Sequence, residues 1–302
     1  MRPNSKNEIV LPINNSSFEK AKFVVIGVPD DSGSSYRKGA AKAPDAIRKI
    51  ANMNEIGVVI RNNKKSLFEP QFEKFAAKVH DYGNVKKNKI KNEISRITKN
   101  NKFPILIGGD HSITYEAVSG FSPKEKWSIV YLDAHPDFIW SKNRYFGSVL
   151  CDISKLENID MKSSWIIGVR TPEEEEIMNI RKSGINFVDA VDIADKGIKK
   201  IVKMVKENVS KNVYMSIDMD VVDSAFVPGV TEPEPAGISS NELVYFVKEV
   251  ASKINMGFDL MEVCPRYDIK NQTTYLAYRV ILEAISSINE KYKNTDQAFK
   301  DV

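Results

Sequence analysis

The sequence is short of cysteine and histidine, has no long apolar run, and carries almost no net charge. Two cysteines, Cys151 and Cys264, neither in a C-x-x-C pair, exclude a disulfide framework and suit a reducing compartment. No apolar run reaches the roughly 20 residues of a membrane-spanning helix. The opening MRPNSKNEIV lacks the apolar core of a signal peptide. A cytoplasmic chain without a membrane role is therefore expected. Lysine and arginine number 44 against 40 acids, and the surplus of +4 is too small to argue for nucleic acid. The most basic stretch, Val85 to Lys102, spaces Ile90, Ile94 and Ile97 at helical intervals, so it reads as a helix with a solvated lysine face. No repeat, low-complexity tract or Pro/Gly-rich linker divides the 302 residues, and a single domain over 1–302 is expected.

What is present is an alternation. Short β-branched runs occur at Phe23–Ile26, Ile105–Ile107, Ser128–Leu132, Trp165–Ile167, Val213–Ile217 and Gly257–Val263, with helical periodicity between several of them. Thr171-Pro172 before four glutamates reads as a helix start, with Thr171 as cap and the acids against the positive dipole end, so the glutamates need no binding role. Apolar strands separated by helices predict a three-layer α/β/α fold around a doubly wound, mostly parallel sheet. Ligands in such sheets bind beyond the carboxyl ends of the strands.

The polar residues fall at those ends. Ile105–Ile107 runs into GGDHS, Ser128–Leu132 into DAHPD, Val213–Ile217 into DMDVVD, and Gly257–Leu260 into MEVCPRYD. Asp133, His135 and Asp137 occupy alternate positions, as do Asp218 and Asp220, and extended backbone would turn each set to one face. His111 follows Gly108 and Gly109, which would let the chain bend tightly. Four carboxylates with two imidazoles suit a divalent first-row ion such as Mn²⁺, and that much negative charge needs more than one dication. One D-x-H-x-D alone is weak grounds for a metal, because caps and turns use the same residues. Four such strand ends in one chain are much stronger. His80, in KVHDYGNV, has no such company and reads as structural.

GGDHS, DAHPD and SIDMDVVD resemble the signature segments of the ureohydrolase family, the arginases, agmatinases and their relatives. The resemblance extends over nearly the whole chain. GVPDDSGSSYRKGAAKAPDAIR, HDYGNV (with Asn84 for an acid), WIIGVR and DLMEVCPRYD match further family segments in order. It implies two Mn²⁺ per chain: His111 and Asp137 completing one site, His135 and Asp220 the other, Asp133 and Asp218 bridging. Glu262 would accept hydrogen bonds from a substrate guanidinium. The paired ions would acidify a water for attack on the guanidinium carbon, with Asp137 passing its proton to the departing amine. Arg48 and Arg170 are expected to be structural or subunit-contact residues, and Asp223 and Ser216 to be turn residues or to lie behind the ligands. A homo-oligomer, trimer or hexamer, is implied.

The segments are more similar to the agmatinase branch, which implies conversion of agmatine to putrescine and urea. Two departures matter. The family's P-G-T-G-T-P-E-P-G-G loop reads PGVTEPEPAG, with Glu232 for a small residue; facing the mouth it would favour a cationic amine, and it could equally face solvent. The family also carries a proton-shuttling histidine after D-A-H-x-D. Gly147 stands at that position in NRYFGSV, and no histidine follows His135 anywhere, so slow turnover is expected. Alternatives are a ureohydrolase for another guanidino or formimino compound, a deacetylase of related fold, and a metal-binding member with little activity. The deacetylase reading is the weaker, since its usual zinc site does not need six ligands.

Overall fold

The computed structural model describes residues 16–53, 78–121 and 123–298. The MRPNSKNEIV segment lies outside the described residues. Eight strands form one sheet: β1 (Phe23–Gly27), β2 (Val79–Asn84), β3 (Phe103–Ile107), β4 (Trp127–Leu132), β5 (Trp165–Val169), β6 (Asn186–Asp189), β7 (Asn212–Asp218) and β8 (Gly257–Met261). Their order is β2-β1-β3-β8-β7-β4-β5-β6, and every pairing is parallel. Helices α1 (Ala43–Met53), α2 (Ile90–Lys99), α3 (Ile113–Val118), α4 (Val149–Ile153), α5 (Glu174–Ser183), α6 (Ala190–Lys196), α7 (Ile198–Asn208), α8 (Ser240–Val250) and α9 (Gln272–Ala298) cover it. No described helix is long and apolar enough to cross a membrane.

Strand residues alternate between two cores. Val25, Ile105, Val130, Leu132 and Met215 pack with α1, α7, α8 and α9 on one face. Val24, Leu106, Ile129, Tyr131 and Tyr214 pack with α2, α3 and α4 on the other. Because both faces are covered, the inner strands read as continuous apolar runs rather than as alternating ones. Ile90, Ile94 and Ile97 form the buried stripe of α2, as their spacing predicts.

Several local expectations are corrected. β2 and β6, which the apolar pattern does not reveal, are the two edge strands. β8 ends at Met261, not Val263, because Glu262 turns into the left-handed region at φ 64°. The cap of α5 is Glu173 in a capping box with Glu176, not Thr171. Nor are those glutamates idle: Glu176 Oε1 accepts Phe138 N at 3.1 Å and Glu175 Oε1 accepts Trp140 N at 3.0 Å, which ties α5 to the segment after β4.

Candidate active site

The four strands whose ends carry the polar segments, β3, β8, β7 and β4, are neighbours at the centre of the sheet. That adjacency brings His111, Glu262, Asp218, Asp220, Asp133, His135 and Asp137 to one rim. They do not arrive by extended backbone. Asp133 ends the β4 ladder, its N–H on Ile167 O at 3.0 Å. The chain then turns, with His135 N donating to Asp133 Oδ1 at 2.6 Å, and Asp137 sits at φ 53°. Asp218 likewise caps a 3₁₀ turn, its Oδ1 accepting Asp220 N at 2.8 Å. Left-handed backbone at Asp137 and Glu262, neither of them glycine, costs conformational energy that the surrounding bonds must offset.

Gly108 and Gly109 serve close approach rather than a special bend. A Cβ on Gly109 would lie 1.7 Å from Asp30 O, and one on Gly108 1.9 Å from Met261 Sδ. The loop at Asp30 and the end of β8 can thus press against the His111 turn. Asp110 fixes the arrangement by accepting Gly33 N at 2.6 Å and Ser34 N at 3.0 Å.

His111 Nδ1 faces Asp133 Oδ2 at 2.9 Å, Asp218 Oδ2 at 3.0 Å and Asp137 Oδ2 at 3.6 Å. His135 Nδ1 faces Asp220 Oδ2 at 3.0 Å and Asp133 Oδ1 at 3.4 Å. Two groups of convergent ligand atoms result: His111, Asp133 and Asp137, and Asp133, His135 and Asp220, with Asp133 in both. A ring nitrogen carries at most one proton, so acceptors outnumber donors here. The shortfall falls on Asp133 Oδ2, which is buried without a hydrogen-bond partner among the described residues. The donor set of hard oxygens and imidazole nitrogens fits divalent first-row ions, and an oxygen lacking a partner is what such an ion would satisfy.

The titration pattern follows from the same crowding. Burial and the charge of Asp133 push the Asp137 carboxyl well above the usual range. Burial, Asp220 and Asp133 do the same to Asp218. Burial also works against Asp133, but the two imidazoles outweigh it and hold that carboxyl low. Both imidazoles are raised: burial opposes their charge, and the facing aspartates overcome it. Glu262 is pushed up to about 8 by burial and by Asp110.

Other groups hold these side chains in place. Tyr131, inside the apolar run of β4, stacks on His111 at 4.5 Å and 5°, and its hydroxyl donates to Asp137 Oδ2 at 2.5 Å. Ser216 Oγ lies 2.8 Å from His111 Nε2 and donates to buried Asp259 at 2.6 Å, which also accepts Tyr214 OH at 2.7 Å. Glu262 accepts His111 N at 2.7 Å and the Thr231 hydroxyl. Sequence reasoning passed over Tyr131, Thr231 and Asp259. For Tyr131 and Asp259 the available signal was a polar atom within a buried strand, which must find a partner; Thr231 lies in a loop and carried no such signal. Glu232 faces the site rather than open solvent, 3.6 Å from His135 Nε2. Arg170 donates to the carbonyls of Gly168 and Val221, each at 3.0 Å, and Asp223 accepts Ala225 N at 2.8 Å, both holding loops. His80 stacks edge-on to Phe18 and Tyr82 in β2, far along the sheet from the rim.

A parallel α/β sheet with this carboxylate and imidazole rim marks the class of hydrolases that act on guanidino C–N bonds. Residues 21–286 match the Arginase family, and the chain belongs to it. It is 30% identical to the proclavaminate amidinohydrolase of Streptomyces clavuligerus over 276 residues, 87% of this chain and 86% of that one. To the N(1)-aminopropylagmatine ureohydrolase of Thermococcus kodakarensis it is 31% identical over 268 residues, 81% and 83% of the two chains. The agmatine ureohydrolase of Thermoplasma volcanium superposes with a TM-score of 0.82 at 28% identity, covering 95% of this chain and 97% of that one.

Proposed function

We propose that the protein uses two Mn²⁺ per chain to hydrolyse a guanidino group to urea and an amine, with agmatine as the substrate. The observation that carries this reading is the sharing of Asp133 by both ligand groups, one of its buried oxygens making no hydrogen bond among the described residues. His111 and Asp137 would hold one ion, His135 and Asp220 the other, and Asp133 and Asp218 would bridge. Two such ions, when bound, supply a water acidic enough to lose its proton near neutral pH.

The remaining work falls to the chain. Glu262 is buried beside His111 and is not among the residues assigned to the ions, and a guanidinium restores the charge that burial disfavours. Asp137, held by the Tyr131 hydroxyl, takes the proton of the attacking water and passes it to the leaving amine. Gly147 offers no side chain for that step. The Tyr145 ring covers it, at 2.8 to 3.0 Å from where a Cβ would stand, so proton delivery rests on Asp137, Tyr145 and solvent and turnover is slow.

Glu232 and Glu234 beside His135 add negative charge and favour an amine-tailed substrate. The similarity to a proclavaminate amidinohydrolase supports a second reading, a guanidino acid. Urea release after manganese loading, on agmatine, aminopropylagmatine, arginine and shorter guanidino acids, separates them: agmatine turned over fastest supports the first, and no urea from any of them sinks both. A single cytoplasmic domain assembled as a trimer or hexamer belongs to the same proposal.

A further inference from the structure

The loop that follows β7 is pinned on both sides of Glu232. Before it, Val230 bridges Val263, Gly229 O accepts Cys264 N at 2.6 Å, and the Thr231 hydroxyl donates to Glu262. After it, Glu234 O accepts Ser224 N and an Arg170 guanidinium N–H, each at 3.2 Å. The backbone at Glu232 is therefore held between two anchors, and its side chain is 24% exposed. Its Oε2 lies 3.6 Å from His135 Nε2, closer than Glu234 Oε1 at 3.9 Å. The other ring nitrogen, Nδ1, is turned inward to Asp220 and Asp133.

A neutral imidazole that gives one nitrogen to an ion carries its proton on the other. With Nδ1 directed inward, the Nε2–H points at Glu232. We propose that Glu232 is a positioning residue which accepts this N–H, fixing the ring orientation and tautomer that present Nδ1 to the ion held with Asp133 and Asp220. The inference rests on the metal centre proposed above. At 3.6 Å the contact is too long for a hydrogen bond, and a side chain with one face in solvent can close the few tenths of an ångström required. An outer carboxylate of this kind typically changes metal affinity by about 10–100-fold. The competing role for Glu232 is a contact with the substrate's distal amine.

Metal-free wild type, Glu232→Ala and Glu232→Gln, titrated with Mn²⁺ by calorimetry and with Co²⁺ by visible absorption, decide between these roles. Thermal unfolding of the metal-free proteins serves as the folding control. Expected are two ions in the wild type, and in Glu232→Ala one site unchanged and one weaker by about 10–100-fold with an altered cobalt band. Glu232→Gln keeps a carbonyl acceptor at the same reach and recovers most of that loss. If Glu232→Ala binds both ions as the wild type does while KM for an amine-tailed guanidine alone rises, the inference is wrong and the metal centre stands. A wild type that takes up no divalent ion overturns both.

Discussion

Two clusters of buried charge lie in this sheet, and they are built on opposite principles. At the β1–β2 edge, Arg48 lays its guanidinium across Asp81 with contacts of 2.8 and 2.9 Å and gives its remaining nitrogen to Asn84 at 2.5 Å. Each guanidinium nitrogen has an acceptor and the two buried charges are opposite, as a buried ion pair requires. At the central rim, four aspartates face two imidazoles, two of those carboxyls are driven up, and Asp133 Oδ2 makes no hydrogen bond among the described residues although His111 Nδ1 stands 2.9 Å away. A balanced cluster maintains structure by itself. An unbalanced one must take up positive charge, as protons or as metal cations, so the imbalance is the mark of a candidate site.

The sharpest way to break this comparison is to delete the shared ligand. Asp133→Ala should lose both proposed ions and all measurable urea release, because Asp133 belongs to both ligand groups. Elemental analysis that still finds two tightly held ions would refute the binuclear arrangement. Next in size, Arg48→Met removes the guanidinium that faces buried Asp81 and should cost about 3–5 kcal/mol, equally with and without manganese. Asp218→Asn should behave in the opposite way. It removes one of the crowded charges, so the metal-free protein melts no lower than wild type while the increment in Tm on adding Mn²⁺ disappears. If both variants respond alike to metal in thermal melts, the two clusters are not different in kind. Both imidazoles titrate above 6.5 in the metal-free fold, so their stabilising contribution is full below pH 6.5 and is lost as pH rises through the folded values. The increment expected from Mn²⁺ should have the reverse slope and grow with pH, because protons then compete less for the same nitrogens.

A smaller effect is expected one step outside the ligands. Glu262→Gln keeps the shape and one acceptor but removes the charge opposite a guanidinium. We expect kcat/KM to fall by about two orders of magnitude, on the order of 3 kcal/mol, with metal content unchanged. A change within about twofold on the same scale would place the guanidinium elsewhere.

How far this contrast could be read from the sequence depends on the element. The inner strands β3, β4, β7 and β8 were legible because burial on both faces makes them continuous apolar runs, and the aspartates, histidines and Glu262 that the structure brings together lie at their polar ends. The edges were not. VHDYGN and NFVD carry too few apolar residues to stand out, since an edge strand needs less cover. The way the ligands converge was also hidden. Asp133 to Asp137 look like alternate positions of a strand, yet they turn on side chain–backbone bonds and one left-handed residue, and such bonds do not show in periodicity. Arg48 and Asp81 lie 33 positions apart, so nothing in their spacing identifies the pair. Tyr131 was concealed by its own strand, where an aromatic passes as core.

The smallest expected effect concerns protons. A rim with acceptors in excess is poor in donors, and burial together with the charge of Asp137 raises the Tyr145 phenol above its ordinary value, which makes it a reluctant acid near neutrality. A well-placed general acid contributes about 10²–10⁴-fold, so a site that relies on Asp137, this phenol and solvent should respond to a donor supplied from solution. Imidazole buffer should therefore raise kcat on agmatine several-fold at constant pH, with KM little changed. Gly147→His alone is a poor test, because its Cβ would meet the Tyr145 ring at 2.8 Å. The double variant Tyr145→Ala with Gly147→His clears that space, and it should exceed Tyr145→Ala alone by about tenfold, a fraction of the roughly 10²–10⁴-fold that a well-placed acid gives. The added imidazole ring should also introduce a new descending limb in the pH–rate profile, the rate falling as pH rises through about 6.5, since a histidine must hold its proton to donate it. If imidazole buffer leaves wild-type turnover unchanged and the double variant is no faster than Tyr145→Ala, proton delivery does not limit this site, and the step must be carried by Asp137 alone.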